Sequence, residues 1–185
     1  MPTAPTAWHG NLPAEAERAA RQAAARLSAW FGQRVELSLV GVGAVALPDI
    51  VGAMSVEEPM TGVRQGFHAG TSGEALMLLT SEPGGLWWQR VGGLLSRHAP
   101  AVVAAPEEAL LELGAQVIGV YVVALHDAVV PRFLPPTLLD MSGTPETTSP
   151  RQAALSRAAS HVIGLRLSVP AVAFDSVLVV FPGGP

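Results

Sequence analysis

Cysteine is absent from all 185 residues, which removes both a disulfide frame and any thiolate metal site. Charge is scarce as well. Asp, Glu, Lys and Arg make up 14% of the chain, the net charge is -4, and there is no basic run. A nucleic-acid footprint needs Lys and Arg clustered on one surface, so nucleic acid is not expected as a partner. The segment Met1 to Trp8 lacks the charged and apolar regions of a secretory signal, which predicts a cytoplasmic protein. A clean apolar run of membrane-spanning length is also missing. The longest, Ala109 to Leu125, is interrupted by Glu112 and Gln116 and closed by His126 and Asp127, short of the roughly 20 apolar residues a span requires. It reads as a helix buried inside a small domain, and no membrane partner is expected. The histidines (His9, His68, His98, His126 and His161) show no metal-ligand spacing and read as surface or lightly buried groups. No metal site and no cofactor is expected.

What the chain does have is apolar material, 49% of its residues. At this length that is enough for one domain with a real core. Residues 1–12 read as a flexible lead-in, and 13–185 as a single domain. Pro13 suits a helical first turn. From Ala14 to Phe31, Ala16, Ala20, Ala23, Leu27 and Trp30 recur at helical spacing, opposite Glu15, Arg18, Arg21, Gln22 and Arg26. Gly32 is placed to stop this helix. Arg34 to Leu39 alternates as a half-buried strand, with Val35, Leu37 and Leu39 on one side. A short helical turn is expected at Leu47 to Gly52. Strands follow at Gly62 to Gly70 and Gly73 to Thr80, joined by a turn over Gly70-Thr71-Ser72-Gly73. A helix is expected from Gly84 to Arg97, with Leu86, Trp87, Val91, Leu94 and Leu95 as its apolar set.

A second long helix is predicted from Pro106 to Val129, with Glu107 and Glu108 complementing its N-terminal dipole. A strand-like segment at Pro131 to Pro135 comes next, then an exposed loop over Met141 to Arg151. The last strands are Ser156 to Val169 and Ala173 to Phe181. The order helix, strand, strand pair thus occurs twice, giving pseudo-repeats at 13–97 and 106–182. Helices preceding hairpin-linked strands predict an α+β fold whose sheet is largely antiparallel, with the helices on one face. Trp87 and Trp88 read as one core and one seam residue. Gly92-Gly93 and Gly183-Gly184 lack the strand, lysine and helix context of a phosphate loop.

Several stretches, in order, resemble the CheC/CheX/FliY family of chemotaxis phosphatases. They are Ala25-Arg26-Leu27-Ser28, Gly32 to Ser38, Gly73-Glu74-Ala75-Leu76-Met77-Leu78-Leu79, Leu86 to Leu94, Glu112-Leu113-Gly114 with Tyr121 and Ala124-Leu125, and Leu134 to Asp140. The resemblance implies a pseudo-twofold CheC-like domain in two-component signalling. It implies a CheY-type response regulator as partner, with magnesium carried by that partner, and a CheD-like protein as a second one. The family's reaction is hydrolysis of the regulator's aspartyl phosphate, and its motif is Ser or Asp, three residues, Glu, two residues, Asn. An acyl phosphate is already reactive, so the enzyme has mainly to hold a water in line. The Asn amide would do that, while the Glu pairs with a lysine beside the phosphorylation site.

In the second helix those motif positions read Glu108, Glu112 and Ala115. The docking acid is present and the water-orienting amide is not. In the first helix the Glu and Asn positions read Ala14 and Glu17. The resemblance therefore implies a receiver-binding protein in which Glu108 and Glu112 bind and hydrolysis is weak or lost. Gln116 follows Glu112 by one turn and offers a longer amide in place of the Asn, which leaves open an active phosphatase using Glu112 and Gln116. The plainer reading of Gln116 is a polar break in a buried helix. A structural interaction module of a motor or pilus complex is the remaining reading. Oligomeric state is not legible.

Overall fold

The computed structural model describes residues 11–43, 60–80, 86–95, 106–140 and 161–183. They form helix α1 (Leu12–Phe31), strands β1 (Glu36–Gly43), β2 (Met60–Ala69) and β3 (Thr71–Thr80), and helix α2 (Leu86–Leu95). Helix α3 (Pro106–Leu125) follows, then strands β4 (Arg132–Phe133), β5 (Thr137–Asp140), β6 (Val162–Val169) and β7 (Phe174–Phe181). The turn expected at 47–52, the loop at 141–151 and the first ten residues of the lead-in lie outside the described residues, as do the side-chain placements expected of Trp87 and Trp88.

Helix α1 begins at Leu12, where the Asn11 side chain accepts a 3.5 Å hydrogen bond from the Ala14 amide. It ends where Gly32 turns left-handed, φ 65°. Between these points the buried face is mostly alanine: Ala16, Ala19, Ala20 and Ala23, with Leu27 and Phe31 at the end. Small side chains let this helix lie close to its neighbours. Ser28 then ties the helix to β1. Its hydroxyl donates to the Ala24 carbonyl at 2.7 Å and accepts from the buried Val35 amide at 2.9 Å.

Some boundaries differ from expectation. The β2–β3 connection is Gly70 alone, at φ 82°, with Ala69 opposite Thr71. Thr71 and Ser72 already belong to the strand, because one residue in a conformation that glycine adopts freely reverses the chain. Helix α3 stops at Leu125 rather than Val129. Val130 precedes Pro131 and is driven to extended backbone, so the chain must leave the helix first. It does so in a turn where the Val129 amide bonds the His126 carbonyl at 2.9 Å. The strand expected at 131–135 shrinks to β4, and β5 is added beyond the paired prolines Pro135 and Pro136.

The sheet runs β1-β6-β7-β3-β2, with β4 and β5 both on the outer edge of β2, and every pairing is antiparallel. Exchanging β1, β2 and β3 for β4/β5, β6 and β7 returns the same order reversed, so a pseudo-twofold axis passes between β3 and β7. The side chains repeat as well. Gly62-Val63-Arg64 on β2 matches Gly164-Leu165-Arg166 on β6. Each arginine reaches diagonally across its hairpin to an acid, Arg64 to Glu74 at 2.8 Å and Arg166 to Asp175 at 3.4 Å. The first pair is largely withdrawn from solvent and the second is exposed.

Alternate strand residues, among them Val63, Phe67, Ala75, Met77, Ile163, Leu165, Leu178 and Val180, form one core with α1, α2 and α3. The helices therefore share a face of the sheet, and the fold is α+β as predicted. Helix α3 meets the length and composition of a membrane span, yet Leu110, Leu113, Val117, Ile118, Tyr121 and Val122 are buried within the domain. Its seat on the sheet is Gly114: a β-carbon there would lie 2.5 Å from Val63 Cβ, so only glycine permits this approach.

Candidate functional site

Helices α1 and α3 pack antiparallel, the N-terminal part of one beside the C-terminal part of the other. The Tyr121 hydroxyl points at the Ala16 carbonyl, 3.5 Å away. Burial pushes the Tyr121 phenol well above its usual range, so it stays neutral and structural. Both helices have 20 residues, and α3 buries ten of them against seven in α1.

On α3, Glu107, Glu108 and Glu112 are exposed near the N-terminal end, and Ala115 and Gln116 follow half-buried. Gly119 has open space above it, and Val123 is exposed. Among the described residues, Glu107, Glu108 and Glu112 form no ion pair. The predicted pair Glu112 and Gln116 does share one turn of one face. Asparagine cannot supply the missing amide from elsewhere: Asn11 is the only asparagine in the chain, and it caps α1. That signal was available in the composition.

On α1, Ala14 and Glu17, the positions that the resemblance pairs with Glu112 and Ala115, are both exposed. Arg18 bonds Asp127 at 3.2 Å and approaches Gln22 at 3.5 Å, and Arg21 approaches Glu17 at 3.9 Å. The exposed charges of α1 are thus of both signs and partly paired with each other, whereas those of α3 are acids alone.

None of Glu108, Glu112, Ala115 or Gln116 lines the cavity of about 290 Å³ beside the end of α3. That cavity is bounded by Glu15, Arg18, Thr71, His126 and Asp127, with Leu125 behind them. The His126 ring stands 5.7 Å from Phe67, and burial lowers its pKa below the ordinary histidine value. Glu107, Glu108 and Glu112 are instead exposed on the helix surface, which suits contact with another protein better than enclosure of a small molecule. Among the described residues, no three His, Asp or Glu side chains converge as a metal site would require.

No family model matches the chain, and no curated relative matches it. Solved structures do. FliY of Thermotoga maritima aligns with a TM-score of 0.58 at 14% identity, over 90% of this chain and 85% of that chain. The FliM middle domain (residues 51–229) of Vibrio alginolyticus aligns with 0.58 at 15% identity, over 94% of each. The chemotaxis protein CheX of Desulfovibrio desulfuricans aligns with 0.50 at 12% identity, over 90% and 97%. The chain therefore has the fold that these FliY, FliM and CheX structures share, which is the fold implied by the resemblance of its segments to the CheC/CheX/FliY family.

Proposed function

We propose that this chain is a cytoplasmic docking protein of a chemotaxis-type signalling pathway that binds a CheY-type receiver through α3 and hydrolyses its phosphate weakly or not at all. The observation that supports this reading is Glu112, exposed and, among the described residues, without an ion-pair partner, with Ala115 three residues on, where the resemblance implies a water-orienting amide. A carboxylate in this position attracts a lysine beside the receiver's phosphorylation site. A methyl group at Ala115 cannot hold the attacking water. Magnesium would come with the receiver.

The test is a pair of substitutions read with a phosphorylated receiver from the same cell. Glu112→Lys is expected to weaken binding about tenfold, the effect of ~1.4 kcal/mol. Ala115→Asn restores the Glu-x-x-Asn spacing and is expected to accelerate phosphate loss tenfold or more, since ~1.4 kcal/mol of barrier is one factor of ten. Receiver binding that ignores Glu112→Lys would refute the docking role.

Two other readings have an observation each. Gln116 lies one turn beyond Glu112 on the same helix and is half-buried, and an amide there favours a phosphatase that uses Glu112 and Gln116; loss of activity in Gln116→Ala would establish it. The fit to a FliM middle domain over 94% of both chains favours a structural interaction module. Absence of any receiver binding would favour that one.

A further inference from the structure

We propose that the cavity beside the start of α1 and the end of α3 binds a primary ammonium group on a short apolar stem. It measures about 290 Å³ and is partly open to solvent. That lies near the lower end of the range for small-ligand pockets, ~300–1,000 Å³. Three separate pieces of chain line it: the first turns of α1, the β2–β3 connection at Gly70, and the end of α3 with the turn that follows. The charge on this lining is negative. Glu15 and Asp127 supply two carboxylates, and among the described residues Arg18 is the only arginine or lysine that lines the cavity. Arg18 is already engaged, because its guanidinium bonds Asp127 at 3.2 Å. Glu15 is half-buried and, among the described residues, has no ion-pair partner. His126 belongs to the same lining. Burial lowers its pKa, so the ring is neutral at neutral pH and does not offset the second acid.

The backbone acts in the same direction. The cavity lies at the C-terminal end of α3, where carbonyls without helical partners favour a cation, and the last turn of that helix has no basic residue. The first turn of α1 contributes the opposite partial charge, about half an elementary charge, which the full charge of Glu15 in that turn exceeds. The hydrogen-bonding groups also favour one kind of head group. An ammonium donates three hydrogen bonds and accepts none. The carboxylates of Glu15 and Asp127 only accept. The Thr71 hydroxyl gives its proton to the Pro182 carbonyl at 3.2 Å, which leaves its lone pairs as acceptors. Leu125, Val129 and Ala69 complete the lining with apolar surface, suited to a chain of a few methylenes. A carboxylate or phosphate would instead meet two like charges, with Arg18 held by one of them.

The test uses the full chain and n-butylamine at neutral pH, where the amine is protonated. Calorimetry or ligand-detected NMR is expected to show one molecule bound per chain, with a Kd on the order of 1 mM. Butyrate has the same stem and the opposite charge, and is expected not to bind. Glu15→Gln keeps the shape of the side chain, removes its charge and is expected to weaken amine binding about tenfold, the effect of ~1.4 kcal/mol. Arg18→Gln removes the one guanidinium of the lining and is expected to tighten amine binding several-fold, a gain that loss of folding could not produce. Urea unfolding of both variants verifies that they fold. Nα-acetyl-lysine methylamide separates two sources of the same group. Binding tighter than that of butylamine assigns the site to a lysine side chain of a partner, and weaker binding assigns it to a free amine. Failure of butylamine to bind overturns the proposal. So does equal binding of butyrate, or an amine affinity that neither Glu15→Gln nor Arg18→Gln changes. Glu112 does not line this cavity, so Glu112→Lys is expected to leave amine affinity unchanged, and the amine site and receiver docking stand or fall separately.

Discussion

Gly114→Ala and Gly119→Ala replace two glycines of one helix and are expected to shift stability in opposite directions. A β-carbon on Gly114 would stand 2.5 Å from Val63 Cβ and 2.7 Å from each of its methyls. Carbon atoms in contact settle at ~3.5–4.0 Å, so about 1 Å is missing against three atoms at once. Val63 cannot swing aside. It is fully buried, its β-branch restricts its rotation, and its backbone is paired to Met77 on one side and Leu138 on the other. Overpacking of this kind costs ~1–3 kcal/mol. Gaining alanine's helix propensity returns ~1 kcal/mol, leaving Gly114→Ala about 0–2 kcal/mol less stable than the parent. At Gly119 nothing lies within 4 Å of the new carbon, so the propensity gain stands alone and the variant should be ~1 kcal/mol more stable. The propensity contribution cancels in the difference between the two, which isolates the contact with Val63. Urea unfolding measures it, and thermal midpoints for a chain of this size should separate by several degrees, at ~2–4 °C per kcal/mol. Val63→Ala combined with Gly114→Ala should recover part of the loss, as expected for side chains that touch. Equal shifts from the two glycine variants would refute the claim that Gly114 seats α3, and Glu112 with it, on the sheet.

Ser28→Ala leaves the buried Val35 amide without its acceptor and should cost ~1–3 kcal/mol in urea unfolding, whereas Ser28→Thr keeps the hydroxyl and should cost less. Arg64→Met breaks the ion pair that is largely withdrawn from solvent and should cost on the order of 2 kcal/mol. The equivalent Arg166→Met breaks an exposed pair and should cost below ~1 kcal/mol; equal losses would mean that burial does not distinguish them. Burial lowers the folded-state pKa of His126, so the unfolded chain takes up its proton first as pH falls. The stability linked to His126 is complete above the ordinary histidine value near 6.5 and is lost as pH drops through the folded value. His126→Gln should therefore flatten the decline in stability between about pH 7.5 and 5, with Arg18, Asp127 and Glu15 the charged groups around the same cavity.

The local sequence carried much of this fold because the relevant forces are local. Pro13 and Gly32 bound α1 through backbone geometry, and the alternation of Val35, Leu37 and Leu39 against Glu36 and Ser38 needed only a strand with one wet side. The lone Glu112 in an apolar helix pointed to an outward position, and the composition alone denies the chain an asparagine for its water-positioning place, since Asn11 is occupied at a cap. Strand β5 was not legible. Pro135-Pro136 followed by Leu138-Leu139 has no alternation, and only its pairing with β2 makes it a strand. The single-residue turn at Gly70 was hidden for the same reason, because it depends on which residues face each other across two strands.

The partners of each strand divide most sharply between sequence and structure. Periodicity and caps are local, so two long helices, an antiparallel sheet and the lack of a Glu-x-x-Asn run were legible in the chain alone. Only the tertiary structure decided that β4 and β5 share the outer edge of β2 and that Gly114 seats α3 against Val63, because residues distant in sequence acquire a common frame only when the sheet brings them together.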